Sequence, residues 1–102
     1  MGFGIGINDE PVSAGKLKGE QTKIACDCWF TATGRTIPHT IKYQDKEGLI
    51  QTVNDISVIH YENKNYSGVP SVEYNCIIRQ GVLEAKVKLV FFTDEKRWVM
   101  VV

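Results

Sequence analysis

VEYNCIIRQGVLEAKVKLVFF, residues 72–92, settles the class of the fold. Val72, Tyr74, Cys76 and Ile78 alternate with Glu73, Asn75 and Arg79. After Gln80-Gly81 the rhythm returns, with Leu83, Ala85, Val87, Leu89 and Phe91 set against Glu84, Lys86 and Lys88. A strand turns successive side chains to opposite faces, so an apolar set interleaved with a polar one marks a half-buried strand. Two such runs divided by a short glycine turn must lie antiparallel, because parallel pairing needs a crossover of about a dozen residues or more.

The same grammar extends in both directions. Downstream, residues 93–96 turn the chain into a run where Trp98 and Met100 oppose Val99 and Val101. Upstream, residues 62–70 hold Asn63, Asn65, Ser67, Gly68 and Pro70 and read as the longest loop of the folded region. Before it Ile56, Val58 and His60 share one face, and Asn54-Asp55 reads as a bend. Asp45-Lys46-Glu47-Gly48 is a hairpin signal, since Asp bonds its own following backbone and Gly supplies a positive φ. Ile37, His39, Ile41 and Tyr43 alternate in the preceding run, where Pro38 implies an edge or a bulge because it has no N–H for a ladder. In the first run Ile24, Cys26, Cys28 and Phe30 fall opposite Asp27 and Trp29.

Composition agrees. Val, Ile and Thr number 28, against eight Ala and Leu, and β-branched side chains favour pleated surfaces over helices. No stretch shows a sustained apolar period of 3.6. The expectation is an all-β protein with one domain over residues 23–102, an antiparallel meander of six or seven strands forming a small barrel or strongly bent sheet. Residues 1–22 differ: they hold five of the nine glycines and read as a flexible or late-docking arm, in which Phe3, Ile5 and Ile7 alternate with Gly2, Gly4 and Gly6. These glycines lack the preceding strand and following helix of a phosphate loop.

Twelve Lys and Arg balance twelve Asp and Glu along the chain, which disfavours a polyanion partner such as nucleic acid. No apolar run approaches the roughly 20 residues that span a bilayer. Residues 1–12 have no basic start, and Asp9 and Glu10 fall where the cleavage region of a secretory leader is small and neutral. The expected setting is the cytoplasm, without membrane association, where the three cysteines stay as free thiols.

Residues able to carry chemistry are few. Cys26, Cys28 and Cys76 would chelate metal or act as thiols if they converged with His39 or His60, but all three occupy apolar-face positions that suit small core residues. The paired Cys-x-x-Cys knuckles of a zinc site are missing, so no metal, cofactor or catalytic residue is expected. Exposed aromatics are the better signal: Trp29 lies opposite the apolar face of its run, and Tyr61 and Tyr66 border the polar stretch. Aromatic platforms beside loops bind peptides or single strands in small barrels. Arg35, Lys42 and Lys64 would add positive charge there if they converged. Val90, Phe92, Val99 and Val101 place apolar groups on the face that Lys86 and Lys88 share, which calls for a cover: the arm, closure of a barrel, or a second copy of the chain.

Gly34-Arg35-Thr36-Ile37-Pro38, then Ile41-Lys42-Tyr43 with Asp45 and Gly48, and later Tyr66-Ser67-Gly68 leading to Glu73-Tyr74 and Cys76, resemble a group of small uncharacterised bacterial proteins of the clostridial type. The resemblance covers residues 26–101. It implies a bacterial, cytoplasmic setting and no activity, cofactor or site. The function expected from the residues is a non-enzymatic binding or assembly module. It would engage a protein partner near Trp29, Tyr61 and Tyr66, or self-associate as a homodimer through Val90, Phe92, Val99 and Val101. The alternatives are a metal or thiol site at Cys26, Cys28 and Cys76, and a small barrel binding single-stranded nucleic acid.

Overall fold

In the computed structural model, which describes residues 19–102, the alternating runs form seven β-strands. They are β1 (Gln21–Phe30), β2 (Thr36–Gln44), β3 (Ile50–Val53), β4 (Asp55–Tyr66), β5 (Val69–Gln80), β6 (Leu83–Phe92) and β7 (Arg97–Val101). All pair antiparallel in a single sheet of order β3-β2-β1-β7-β6-β5-β4. Two meanders, β1 to β3 and β4 to β7, are thus joined by the first and last strands, with Ile24 opposite Trp98 and Gln21 opposite Val101. Gln21 and Thr22 belong to this pairing, so the folded domain begins before residue 23. The rest of the expected arm lies outside the described residues.

One connection dictates the shape. β3 and β4 occupy opposite edges of the sheet, yet only Asn54 separates them. A flat sheet of seven strands would hold its edges roughly 29 Å apart at about 4.8 Å per spacing. One linking residue spans about 7 Å between its neighbours' Cα atoms. The sheet therefore curls into a half-barrel. Two side-chain bonds cross the seam: the Tyr74 hydroxyl donates to the Thr36 carbonyl at 2.6 Å, and Gln80 Nε2 donates to Gln51 Oε1 at 2.9 Å.

The concave face is the core. Ile41, Val53, Tyr74, Leu89 and Met100 are buried there, with Cys26, Cys28 and Cys76 packed among them. The expected core positions of β5 and β6 hold, except near the 81–82 turn, where Leu83 and Ala85 are exposed.

Two bulges redirect side chains. Asp27 pairs with Thr40 and Cys28 with Pro38, leaving His39 as an extra residue in β2, so Pro38 is buried and His39 faces solvent. Val58 pairs with Cys76 and His60 with Asn75, leaving Ile59 extra in β4. His39 therefore does not share a face with Ile41, nor His60 with Val58, as simple alternation predicts.

The stretch expected to be the longest loop is instead a continuous hairpin. β4 and β5 pair from Asp55 opposite Arg79 out to Tyr66 opposite Val69, and only Ser67 and Gly68 turn the chain, both at positive φ (55° and 89°). Gly68 N–H donates to Asn65 Oδ1 at 2.6 Å. Positive φ at both central residues matches the right-handed twist of the flanking strands. At the 45–48 turn Asp45 Oδ1 accepts from the backbone N–H groups of Glu47 and Leu49, each at 2.9 Å, as the sequence predicts.

No helix of the described residues is long and apolar enough to cross a membrane.

The seam bond yields a test. Tyr74→Phe removes the hydroxyl that holds Thr36, and the expected loss is about 1 kcal/mol in urea unfolding, the net worth of one such bond. Val82→Ser, at a fully exposed turn position, should leave the midpoint unchanged. Equal midpoints for wild type and Tyr74→Phe would show that the seam bond carries no stability.

Candidate functional site at the mouth of the half-barrel

The turn between β1 and β2 builds one rim of the concave face. Thr31 N–H donates to the Arg35 carbonyl at 2.8 Å, Arg35 N–H donates to Thr31 Oγ1 at 3.0 Å, and Gly34, at φ 85°, donates to the Thr31 carbonyl at 2.9 Å. These bonds fix the backbone of Arg35. Its guanidinium carbon lies 4.4 Å from the centroid of the Tyr61 ring, across the seam on β4. Tyr61 stacks on Tyr74 at 5.9 Å, Tyr74 tilts against Trp98 at 5.7 Å, and Trp98 stacks on Phe91 at 4.8 Å. Four aromatic rings thus run from the solvent edge into the core, with a cation on the outermost. A guanidinium over an aromatic face contributes about 0.5–1 kcal/mol when exposed. Among the described residues Arg35 has no carboxylate partner.

Two further aromatics sit on the same hairpin. Trp29 is 63% exposed and Phe30 70% exposed. Trp29 stacks on the bulged His39 at 5.5 Å, and His39 Nδ1 stands 3.8 Å from Asp27 Oδ2. The bulge that expels His39 from the core therefore supplies the plate that orients Trp29.

The expected aromatic set is divided between the two faces: Tyr61 lies on the concave side, stacked on Tyr74 and capped by Arg35, whereas Trp29 points to the convex side with Asp27 and His39. Tyr66 joins neither: it lies at the far tip of the β4–β5 hairpin on the convex face, where its hydroxyl donates to Glu73 and its ring packs against Val90 and its neighbours. Burial, then the bond to Glu73, pushes the Tyr66 phenol above its ordinary range. Of the three cations, only Arg35 reaches the mouth. Lys64 pairs with Glu62 at 3.3 Å, and Lys42 lies on the convex side of β2 beside Ala25 and Thr40. Phe30 escapes sequence reasoning because it continues the Ile24, Cys26, Cys28 alternation. The signal that separates it is its place next to the Thr31-Ala32-Thr33-Gly34 turn, at the last β1–β2 pair, opposite Thr36.

Val90, Phe92, Val99 and Val101 form a second apolar cluster on the convex face, as the alternation predicts, rimmed by Tyr66 and Val69. They are only 0%, 5%, 2% and 6% exposed within the single chain. Glu73 is buried beside them, paired with Lys88 Nζ at 3.1 Å and accepting a hydrogen bond from the Tyr66 hydroxyl.

The thiols are equally explicit. Burial pushes Cys26 and Cys76 up to about 12, the neighbouring Cys28 adding to the shift at Cys26, and burial also raises Cys28. The thiolate is the nucleophilic and metal-binding form. Among the described residues no group of three or more His, Cys, Asp or Glu is placed to hold a metal ion.

No protein-family model, curated protein or solved structure matches this chain.

The buried thiols carry a pH dependence of definite sign. Their folded values lie above the ordinary value of 9.0, so the folded state holds protons that the unfolded chain releases. Stability is fully present below about pH 9 and falls as pH rises toward 12, with the Tyr74 phenol, raised by burial to about 12, acting in the same direction above pH 10. Urea midpoints measured at pH 8, 9.5 and 11 should decline, and Cys26 and Cys76 should resist iodoacetamide at pH 8 until denaturant is added. Fast alkylation of the folded protein would contradict the burial argument.

Proposed function

We propose that this protein is a non-enzymatic binding module that recognises a protein partner through the mouth of its half-barrel, in a bacterial cytoplasm. The observation that carries the reading is Arg35, stacked on Tyr61 and lacking a carboxylate partner among the described residues, on the turn that follows the exposed Trp29 and Phe30. Flat aromatic faces and a fixed guanidinium are the side chains over-represented at binding hot spots, because they bury large area with little loss of side-chain freedom. The Arg35 guanidinium keeps its donors available for a carboxylate. The partner's contact segment accordingly carries Asp or Glu next to an aromatic or aliphatic residue.

Other readings have less support. Acid–base or nucleophilic catalysis would need titratable groups gathered in a cleft, whereas the thiols are held protonated and His39 and His60 occupy separate strands. Nucleic-acid binding would need a basic stripe, whereas Lys64 and Lys88 are already paired with carboxylates.

Phage-displayed random peptides selected on the wild-type protein test this reading. Enriched sequences should contain acidic residues flanked by apolar ones, and Arg35→Ala or Trp29→Ala should weaken their binding about tenfold or more, equivalent to about 1.4 kcal/mol. Peptides that bind the wild type and both variants equally would overturn it.

A further inference from the structure

On the convex face, the bulged Ile59, Ile77, Lys86 and Val101 line an open, mostly apolar groove of about 570 Å³. Ile59 is 65% exposed, although its side chain is one that burial would stabilise. Lys86 has no acidic partner among the described residues. Gly19, the first described residue, also lines the groove. Gly19 holds φ +101°, and a Cβ there would come within 2.6 Å of Val101 Cγ1. The backbone thus enters β1 pressed against the Val101 side chain, on the convex side of the sheet and at the lip of the groove.

Eighteen residues precede Gly19, and their sequence complements this surface. Phe3, Ile5 and Ile7 alternate with Gly2, Gly4 and Gly6, which gives a segment with one apolar face and no bulk on the other. Asp9 and Glu10 follow after Asn8, opposite in charge to the unpaired Lys86. The residues between Ile7 and Gly19 span up to about 36 Å when extended, ample to return the segment to the groove.

We propose that the occupant of this groove is the chain's own segment 3–7, with Phe3, Ile5 and Ile7 against Ile59, Ile77 and Val101, and Asp9 and Glu10 beside Lys86. The convex face is then an intramolecular docking surface, separate from the partner-binding mouth on the concave side.

Cysteine pairs in the full chain test the proposal. Ile5→Cys combined with Lys86→Cys should form an intrachain disulfide under mild oxidation, identified by peptide mapping. Ile5→Cys combined with Lys42→Cys, on the convex side of β2, should cross-link about tenfold more slowly, because a docked segment raises the effective concentration only at its own site. Both partner positions are exposed lysines, so neither change disturbs the core. Equal rates at the two positions would overturn the proposal, as would disulfides found only between chains, which would make a second copy the occupant. As a second readout, Ile5→Asp should increase binding of an apolar dye to the folded protein, and no increase would also count against it.

Discussion

Asn54 is the constraint on which the rest of the structure depends. A single residue joins strands at opposite edges of a seven-stranded sheet, and no flat arrangement satisfies that connection. Curling the sheet brings β4 near β2 and β5 near β3, and it encloses one face enough to bury Ile41, Val53, Tyr74 and Leu89 almost completely. The same curl carries Tyr61 beneath Arg35, two residues that are 26 positions apart and belong to different meanders. The mouth is thus a product of closure: neither the β1–β2 hairpin nor the β4–β5 hairpin contains it alone.

The two faces of the sheet solve different problems. On the concave side, apolar burial and a ladder of rings dominate, and the thiols are simply small members of that packing. On the convex side, Glu73 is buried next to Val90, which would be costly for an isolated carboxylate. Lys88 and the Tyr66 hydroxyl satisfy it, and they tie β4, β5 and β6 together across the face. Polar groups placed this way fix register, because a slip of β5 by one residue would carry Glu73 to the concave side against Leu89 and turn Tyr74 out to the convex side.

Much of the fold was legible in the sequence because it is written in local alternation. The Val72 to Ile78 and Val87 to Phe91 positions, the 45–48 turn and the convex cluster at Val90, Phe92, Val99 and Val101 all follow from a period of two. Three features did not. A bulge leaves no mark until the partner strand is known, so simple alternation puts His39 and His60 on the wrong faces. The outer half of the β4–β5 hairpin carries polar residues on both sides, so Glu62 to Asn65 show no apolar rhythm and resemble a loop. The pairing of β1 with β7 is non-local, and with it the curl that makes the mouth. The exposed aromatics Trp29 and Tyr61 are visible from the pattern alone, whereas the seat of Tyr66 on the convex face and the exposure of Phe30 are not.

The central claim is that closure of the sheet sets the Arg35 guanidinium on the Tyr61 ring. Proton NMR of the folded protein tests it most directly. The account predicts nuclear Overhauser contacts between the Tyr61 ring and the Arg35 side chain, with the Arg35 methylene protons shifted upfield by the ring current. Random-coil shifts for those protons, with no contact to Tyr61, would contradict it.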